Sequence, residues 1–380
     1  MEREGQDILY LQHEFAQAVV DAIKVAVTPS EQALLAGGQK VNPEAYDLVM
    51  RGIAFWLEPA SWEISGQDVN WKAIDYFQNA IDLDSNLALA HAWKAHIYSV
   101  LAMNGLADEK EVYPKSKESV LRALELDQNL AQAHATSGGI KLFADWDFAG
   151  AEKEYKLSFE LEPGNELMRI FYEIFLATVG KSDEAISMSN RWAKEHKTTL
   201  KVHTNYIPLY FMWAGRYAEA LQMLKERLDS EPNHLAHFFQ RQRLAVAYAL
   251  NGMYSEALAQ VNKVKDLPST QEDIQFRVDF AGILAVAGRR EESLKELERL
   301  KSLLAPRNVD PAYYTACIYA GLGDKDKAFE YLEKAYENHS TLMIGLITDW
   351  WLRSLHGDPR FGELVKKIGF PAVPGPEKGT

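Results

Sequence analysis

Apolar and polar positions along this chain follow a helical beat that breaks at regular places. In the stretch 244–250, Leu244, Ala245 and Tyr248 fall on one face, the spacing of an amphipathic helix. Gly252 ends that helix, because glycine takes the left-handed backbone of a helix C-terminus without a steric penalty. Ser255 and Glu256 then predict a second helix start, a capping hydroxyl followed by an early carboxylate. Ala257 is small, which lets the two antiparallel helices approach closely.

The unit recurs. Ala73, Ser116, Ala151, Ala185, Ala220, Ala257, Ser293 and Ala328 each sit at the head of an amphipathic stretch, at strides of 34 to 37 residues after a first stride of 43. Gly180, Gly215, Gly288 and Gly323 precede their small residue by five positions, as Gly252 does, and Trp146 holds that place before Ala151. A period in this range marks a solenoid, in which no unit buries its own apolar face and each must stack on the next. Two early connections read as longer loops, roughly Leu57–Asn70 and Asn104–Tyr113, and the second accounts for the 43-residue stride. Pro163 and Pro232 each stop a helix.

Both ends carry helix signals. Ile8, Leu11, Phe15, Ala18, Val19, Ala22 and Ile23 line one side of a helix over 7–27. Thr28-Pro29-Ser30-Glu31 forms a capping box, and Asn42-Pro43-Glu44 opens the next helix in the same manner. Asp358-Pro359-Arg360-Phe361 starts a last helix bearing Leu364, Val365 and Ile368, which shields the end of the stack. The organisation expected is therefore 1–41 amphipathic and capping helices, 42–340 about eight tandem units, 341–370 a C-terminal cap, and 371–380 a disordered tail.

Stretches such as Ala73…Phe77…Ala80-Ile81-Asp82-Leu83-Asp84 and Ala328…Leu332…Ala335 resemble the tetratricopeptide repeat. The resemblance implies an all-α fold, helix pairs stacked in a right-handed superhelical α-solenoid with a concave inner face. Four further segments look like the repeat half of bacterial multidomain regulators: Gln6 to Leu48, Asp145-Trp146-Asp147-Phe148-Ala149-Gly150-Ala151-Glu152, Tyr319 to Phe329, and the terminal Asp358-Pro359-Arg360-Phe361. There a winged-helix DNA-binding domain, a serine/threonine kinase or an adenylate-cyclase domain lies upstream. That implies either a piece of a longer protein or a stand-alone relative.

Composition narrows the function. With 47% apolar and 25% charged residues the chain is a folded protein, and a net charge of −13 disfavours a nucleic-acid partner, which needs clustered Lys and Arg. No apolar run reaches membrane-spanning length, since the run 170–179 is short and contains Glu173. Without a basic n-region and apolar h-region at the start, a cytoplasmic location is expected. The lone cysteine, Cys317, sits among small apolar residues and reads as a buried, inert thiol.

Catalytic patterns are scarce. Asp147-Phe148-Ala149-Gly150 has one residue too many for a kinase Asp-Phe-Gly and no companion motifs, so it reads as a helix start. His91 with His96, and His234 with His237, lack further metal ligands, and Glu291 with Glu292 reads as a solvated surface. No cofactor and no metal are expected. Of the aromatic residues, Trp93, Trp146, Trp192 and Trp213 read as packing, whereas Trp350 and Trp351 are adjacent and cannot both point inward from a helix.

The resemblance also implies a groove lined by one stripe of each first helix. Carried onto this sequence, it gives Ala133, Thr136 and Ile140; Leu167, Ile170 and Ile174; and Val202, Asn205, Leu209 and Met212. Phe239, Gln242 and Val246, then Gln275 and Val278, and finally Asp310 and Tyr313 complete it. The stripe is mostly apolar with scattered amides. It lacks the set of basic and amide side chains by which some relatives clamp a C-terminal carboxylate, so an apolar or helical peptide or protein fits better. The alternative is that these side chains pack against neighbouring helices. Pro208 inside a first helix removes a hydrogen bond and predicts a kink.

A noncatalytic interaction scaffold or signal-input module of a bacterial regulator follows. Two other readings stay open: a self-assembly element making a homo-oligomer through its caps or Trp350 and Trp351, and an enzyme built on the groove or the early loops. Gln242→Glu with Leu209→Asp is expected to weaken partner binding without unfolding the array.

Overall fold

The computed structural model describes residues 41–57, 66–196, 201–230, 237–271 and 273–371. The expected helix over 7–27, the capping box at Thr28, the stop at Pro232 and the tail from 372 lie outside them. The described residues form α-helices and short 3-10 turns, with no strand among them.

Helices pack in consecutive pairs. α1 (Pro43–Leu57) packs on α2 (Gly66–Leu83), α3 (Ala88–Met103) on α4 (Glu109–Leu126), and α5 (Ala131–Phe143) on α6 (Phe148–Leu161). α7 (Glu166–Thr178) packs on α8 (Ser182–His196), and α9 (Lys201–Trp213) on α10 (Tyr217–Ser230). α11 (His237–Leu250) packs on α12 (Tyr254–Asn262), and the short α13 (Pro268–Gln271) follows. The last pairs are α14 (Ile274–Val286) with α15 (Arg290–Leu304), and α16 (Ala312–Gly321) with α17 (Lys325–Glu337). Each first helix also packs on the preceding second helix, so the pairs stack into an α-solenoid of tetratricopeptide-like helix hairpins.

The periodic small residues explain the pairing. All eight, from Ala73 to Ala328, are fully buried. Where serine replaces alanine, its hydroxyl finds the facing helix: Ser116 donates to the Ala95 carbonyl at 2.7 Å and Ser293 to the Ala281 carbonyl at 2.8 Å. A buried hydroxyl is thereby satisfied without opening the seam. The glycines five residues ahead have φ between 76° and 85°, and the amide of Gly252 bonds back to Ala249 while that of Met253 reaches Tyr248. These two bonds close the last turn of a helix in the left-handed C-terminal motif. Trp146 takes the same conformation at φ 54°, at a steric cost glycine does not have.

Two expectations need correction. The connection before α4 is only 104–108, because Asp108 accepts from the Lys110 amide at 2.9 Å and starts the helix early. The long first stride therefore comes from extra helix ahead of Ser116, not from a loop; Pro114 falls in those added turns. The second correction is at α12, which begins at Tyr254 behind Met253, so the Ser255 hydroxyl is not its cap. Elsewhere the caps are those the sequence indicates. Asn42 accepts from the Glu44 amide (3.0 Å), Asp147 from Gly150 (2.9 Å) and Asp358 from Arg360 (3.1 Å). The Asp147 motif is thus a helix start, and Pro208 lies within α9.

After α17 the chain does not simply stop at a cap. It runs through 3-10 turns at Thr341–Gly345 and Trp350–Leu355 before α18 (Pro359–Ile368), whose Phe361, Leu364 and Ile368 are buried. The end of the chain returns to its early pairs. The Thr341 amide donates to Glu109 at 3.1 Å, His339 stacks on Trp146 with ring centroids 3.8 Å apart, and Phe370 meets Phe148 at 4.8 Å.

Candidate functional site

The first helices α3, α5, α9, α14 and α16 turn a face toward the segment 340–355, α3 and α5 meeting Thr341–Gly345 and the others meeting 349–355. That inner face is where the structure gathers its buried polar chemistry. Asp279 on α14 accepts from Gln242 (2.8 Å), from Gln275 (3.3 Å) and from the Trp351 indole (3.1 Å). Asp349 accepts from the Tyr313 hydroxyl at 3.1 Å and the Cys317 thiol at 3.4 Å. Burial pushes the Asp279 carboxyl up to about 7 and also raises Asp349, because each would carry its charge out of water. The same burial pushes the Cys317 thiol up, so it is a poor nucleophile in this setting.

Glycine makes room for the segment. A Cβ on Gly282 would come within 2.6 Å of the Trp351 ring, so the indole lies flat on bare helix backbone. Arg353 covers Gly215, donates to the Trp213 carbonyl at 2.9 Å and faces the Tyr217 ring at 5.1 Å. Trp351 is buried and its neighbour Trp350 half-buried, in a 3-10 turn rather than an α-helix.

The stripe read from the sequence falls as follows. Ile140, Ile170, Met212, Gln242, Val246 and Tyr313 are buried; Ile174, Leu209 and Phe239 are half-buried; the Asn205 side chain lies outside the described ones. Of the wider stripe, Ala133, Thr136 and Val278 are buried, Leu167 and Asp310 half-buried, Gln275 exposed, and the Val202 side chain is outside the description. Ile140 belongs to a small cluster with Ala92 and Val120, whereas Met212, Val246 and Tyr313 share the large core with Trp351. Gln242→Glu would set a second carboxylate against buried Asp279. It therefore tests stability rather than binding, which corrects the sequence-based expectation.

A second polar cluster ties α7, α8 and α9 together. Arg169 pairs with Glu173 on the next turn, both buried; Tyr210 donates to Glu173 at 3.3 Å, and the guanidinium lies 5.0 Å from the Trp192 ring. Burial pushes the Glu173 carboxyl up against the pull of Arg169.

The histidines do other work. His91 meets the Ser85 carbonyl at 3.1 Å, and His96 sits among Trp56, Trp93 and Phe171, with burial lowering its pKa to about 4. The His234 and His237 side chains lie outside the description. Among the described residues no three His, Cys, Asp or Glu converge as a metal site would need. Glu292 pairs with Arg289 at the surface, at 2.6 Å.

Sequence reading missed Asp279, Gly282, Asp349 and Arg353. Two of them carried a signal: Asp279 and Gly282 interrupt the apolar run from Val278 to Val286, and a helical glycine usually has a packing reason.

No protein-family model matches the sequence, and no curated protein does. Among solved structures, the chain is similar to Naa15/Naa10 bound to HypK-THB at 15% identity and TM-score 0.29, over 85% of this chain and 46% of that one. It is similar to the P58(IPK) TPR domain at 16% identity and TM-score 0.24, over 97% of both chains. The chain thus spans less than half of the first of these. Superpositions at that level carry nothing about partners, and the fold stands on the helix pairs themselves. No helix among the described residues is long and apolar enough to cross a membrane.

Proposed function

We propose that this protein is a noncatalytic interaction scaffold, a signal-input module of a bacterial regulatory protein that holds a peptide or protein partner on the inner face of its first helices. One observation supports this reading above the others. The inner face holds an irregular segment of chain through side chains of α14 and α16, the Tyr217 ring at the start of α10 and the Trp213 carbonyl at the end of α9, which favours a peptide there and not only a neighbouring helix. Ile174, Leu209 and Phe239 are the half-buried part of the stripe and the first a partner would touch. Met212, Gln242, Val246 and Tyr313 meet it only where the segment gives way, Ile140 and Ile170 lie buried in the earlier pairs, and Asn205 completes the set. Nucleic acid and membrane have no role in this reading.

The test is affinity capture by the full chain, with a photo-crosslinking residue placed in turn at Leu209, Phe239 and Leu121. Leu121 is 61% exposed on α4 and serves as the outer control. Partner crosslinks from Leu209 and Phe239 but not from Leu121 are expected. Crosslinks confined to Leu121 would overturn the assignment.

A further inference from the structure

The inner face is already occupied, and its occupant has a definite chemistry. Asp349, Trp351 and Arg353 alternate along the segment, and each meets a different receiver. Asp349 takes the Tyr313 hydroxyl; the Trp351 indole rests on Gly282 and donates to Asp279; Arg353 donates to the Trp213 carbonyl. That carbonyl belongs to the last residue of α9, the end of a helix that favours a cation. Capping the final pair does not require this reach. Burial of the last helix pair is served by α18, which packs on α17, whereas the segment extends past α16 to α14 and to the end of α9.

Resting on the reading of the inner face as the partner site, we propose that α9, α14 and α16 form a recognition surface for a peptide segment with aspartate, tryptophan and arginine at alternate positions. The chain's own Asp349–Arg353 fills that surface until a partner segment of the same chemistry displaces it. Three features fit. The buried Asp279 carboxylate calls for an N–H donor, bare Gly282 backbone for a flat ring, and the α9 terminus for a cation. A tethered occupant works at a high effective concentration, so only a partner that matches all three positions competes.

The lone cysteine reports the displacement. Cys317 is 1% exposed, and its thiol points at Asp349. Lifting the segment uncovers it, while unfolding of the array would also erase the helical circular dichroism signal.

The experiment follows Cys317 labelling by a chromogenic disulfide in the full chain and in Trp351→Ala, with circular dichroism recorded alongside. The probe is a synthetic peptide with the sequence of Thr348–Leu355, and a control peptide carries alanine for the tryptophan. The variant is expected to label about tenfold faster or more with its helical signal intact, as a local opening does. The tryptophan peptide returns the rate toward wild type and the alanine peptide does not. An unchanged rate in Trp351→Ala overturns the proposal, as does a fast rate that millimolar peptide fails to slow. Should the variant lose its helical signal, Arg353→Ala, at a half-buried position, carries the same measurement. Slow labelling that returns only together with a dimer in light scattering would make a second copy the occupant and also overturn it. A partner that crosslinks at Leu209 while the peptide fails removes this proposal alone. Peptide protection with crosslinks only from Leu121 removes the scaffold reading and leaves the surface.

Discussion

Helix α14 shows two seams side by side. Toward α15 it offers Ala281, whose carbonyl takes the Ser293 hydroxyl; toward the segment 340–355 it offers Asp279 and Gly282. The outer seam is repeated in every pair, apolar and closed, with a fully buried small residue at its centre. The inner seam is made once, from helices far apart in sequence, and it mixes carboxylates, amides, an indole and a guanidinium. Repetition gives the first its stability, since each closed seam adds to its neighbours'. The second joins through hydrogen bonds to charged groups, which are strong only while water stays out.

The largest effect expected is at the outer seam. Ala257 is fully buried between α11 and α12, and an indole there has no space without parting the helices. Overpacking of this kind costs about 1–3 kcal/mol and more where backbone must move, so Ala257→Trp should lower the thermal midpoint by several degrees or more. Wild-type melting of that variant would break the equivalence of the seams.

The inner seam should instead respond to pH. Asp279 is held at about 7 when folded, by burial first, against an ordinary value near 4 for the unfolded chain. Between those values the folded state keeps a proton that the unfolded state has lost. Stability from this group is therefore complete below pH ~4 and is lost as pH rises through about 7, an effect on the order of a few kcal/mol. Urea midpoints should be higher at pH 5 than at pH 8, and Asp279→Asn should reduce that difference, the part due to the raised Glu173 and Asp349 carboxyls remaining. A variant that keeps the full wild-type slope would show that the carboxylate is not sealed under Trp351.

This contrast also explains what could be read from the sequence. Ala257, Gly252 and Asp147 act within one hairpin, where local spacing carries the meaning, and their roles followed from the residues alone. Gly282 and Trp351 lie 69 positions apart, and nothing in the local pattern of either names the other. The stripe containing Gln242 and Tyr313 was legible as a face, but its cover was not, because a 3-10 segment has no period of its own. At α12 the reading erred for a related reason. Ser255 is a good capping residue one position inside a helix that the Gly252 turn had already started.

The smallest effect concerns the turn that departs from the others. Trp146 stands where five other pairs have glycine, and it takes a left-handed backbone while stacking on His339 and facing Tyr336 at 5.8 Å. The stack ties the third pair to the end of the last, so the residue trades local strain for a long-range contact. Removing the ring while keeping the strain, in Trp146→Ala, should cost at least about 0.5–1.5 kcal/mol, the worth of an aromatic pair beyond the area its half-buried ring covers. Trp146→Gly loses the same contact but relieves the strain, so it should melt above Trp146→Ala by the equivalent of about 1 kcal/mol. Alanine melting level with glycine would mean that the turn carries no strain, and that tryptophan there is no compromise between the hairpin and the returning end of the chain.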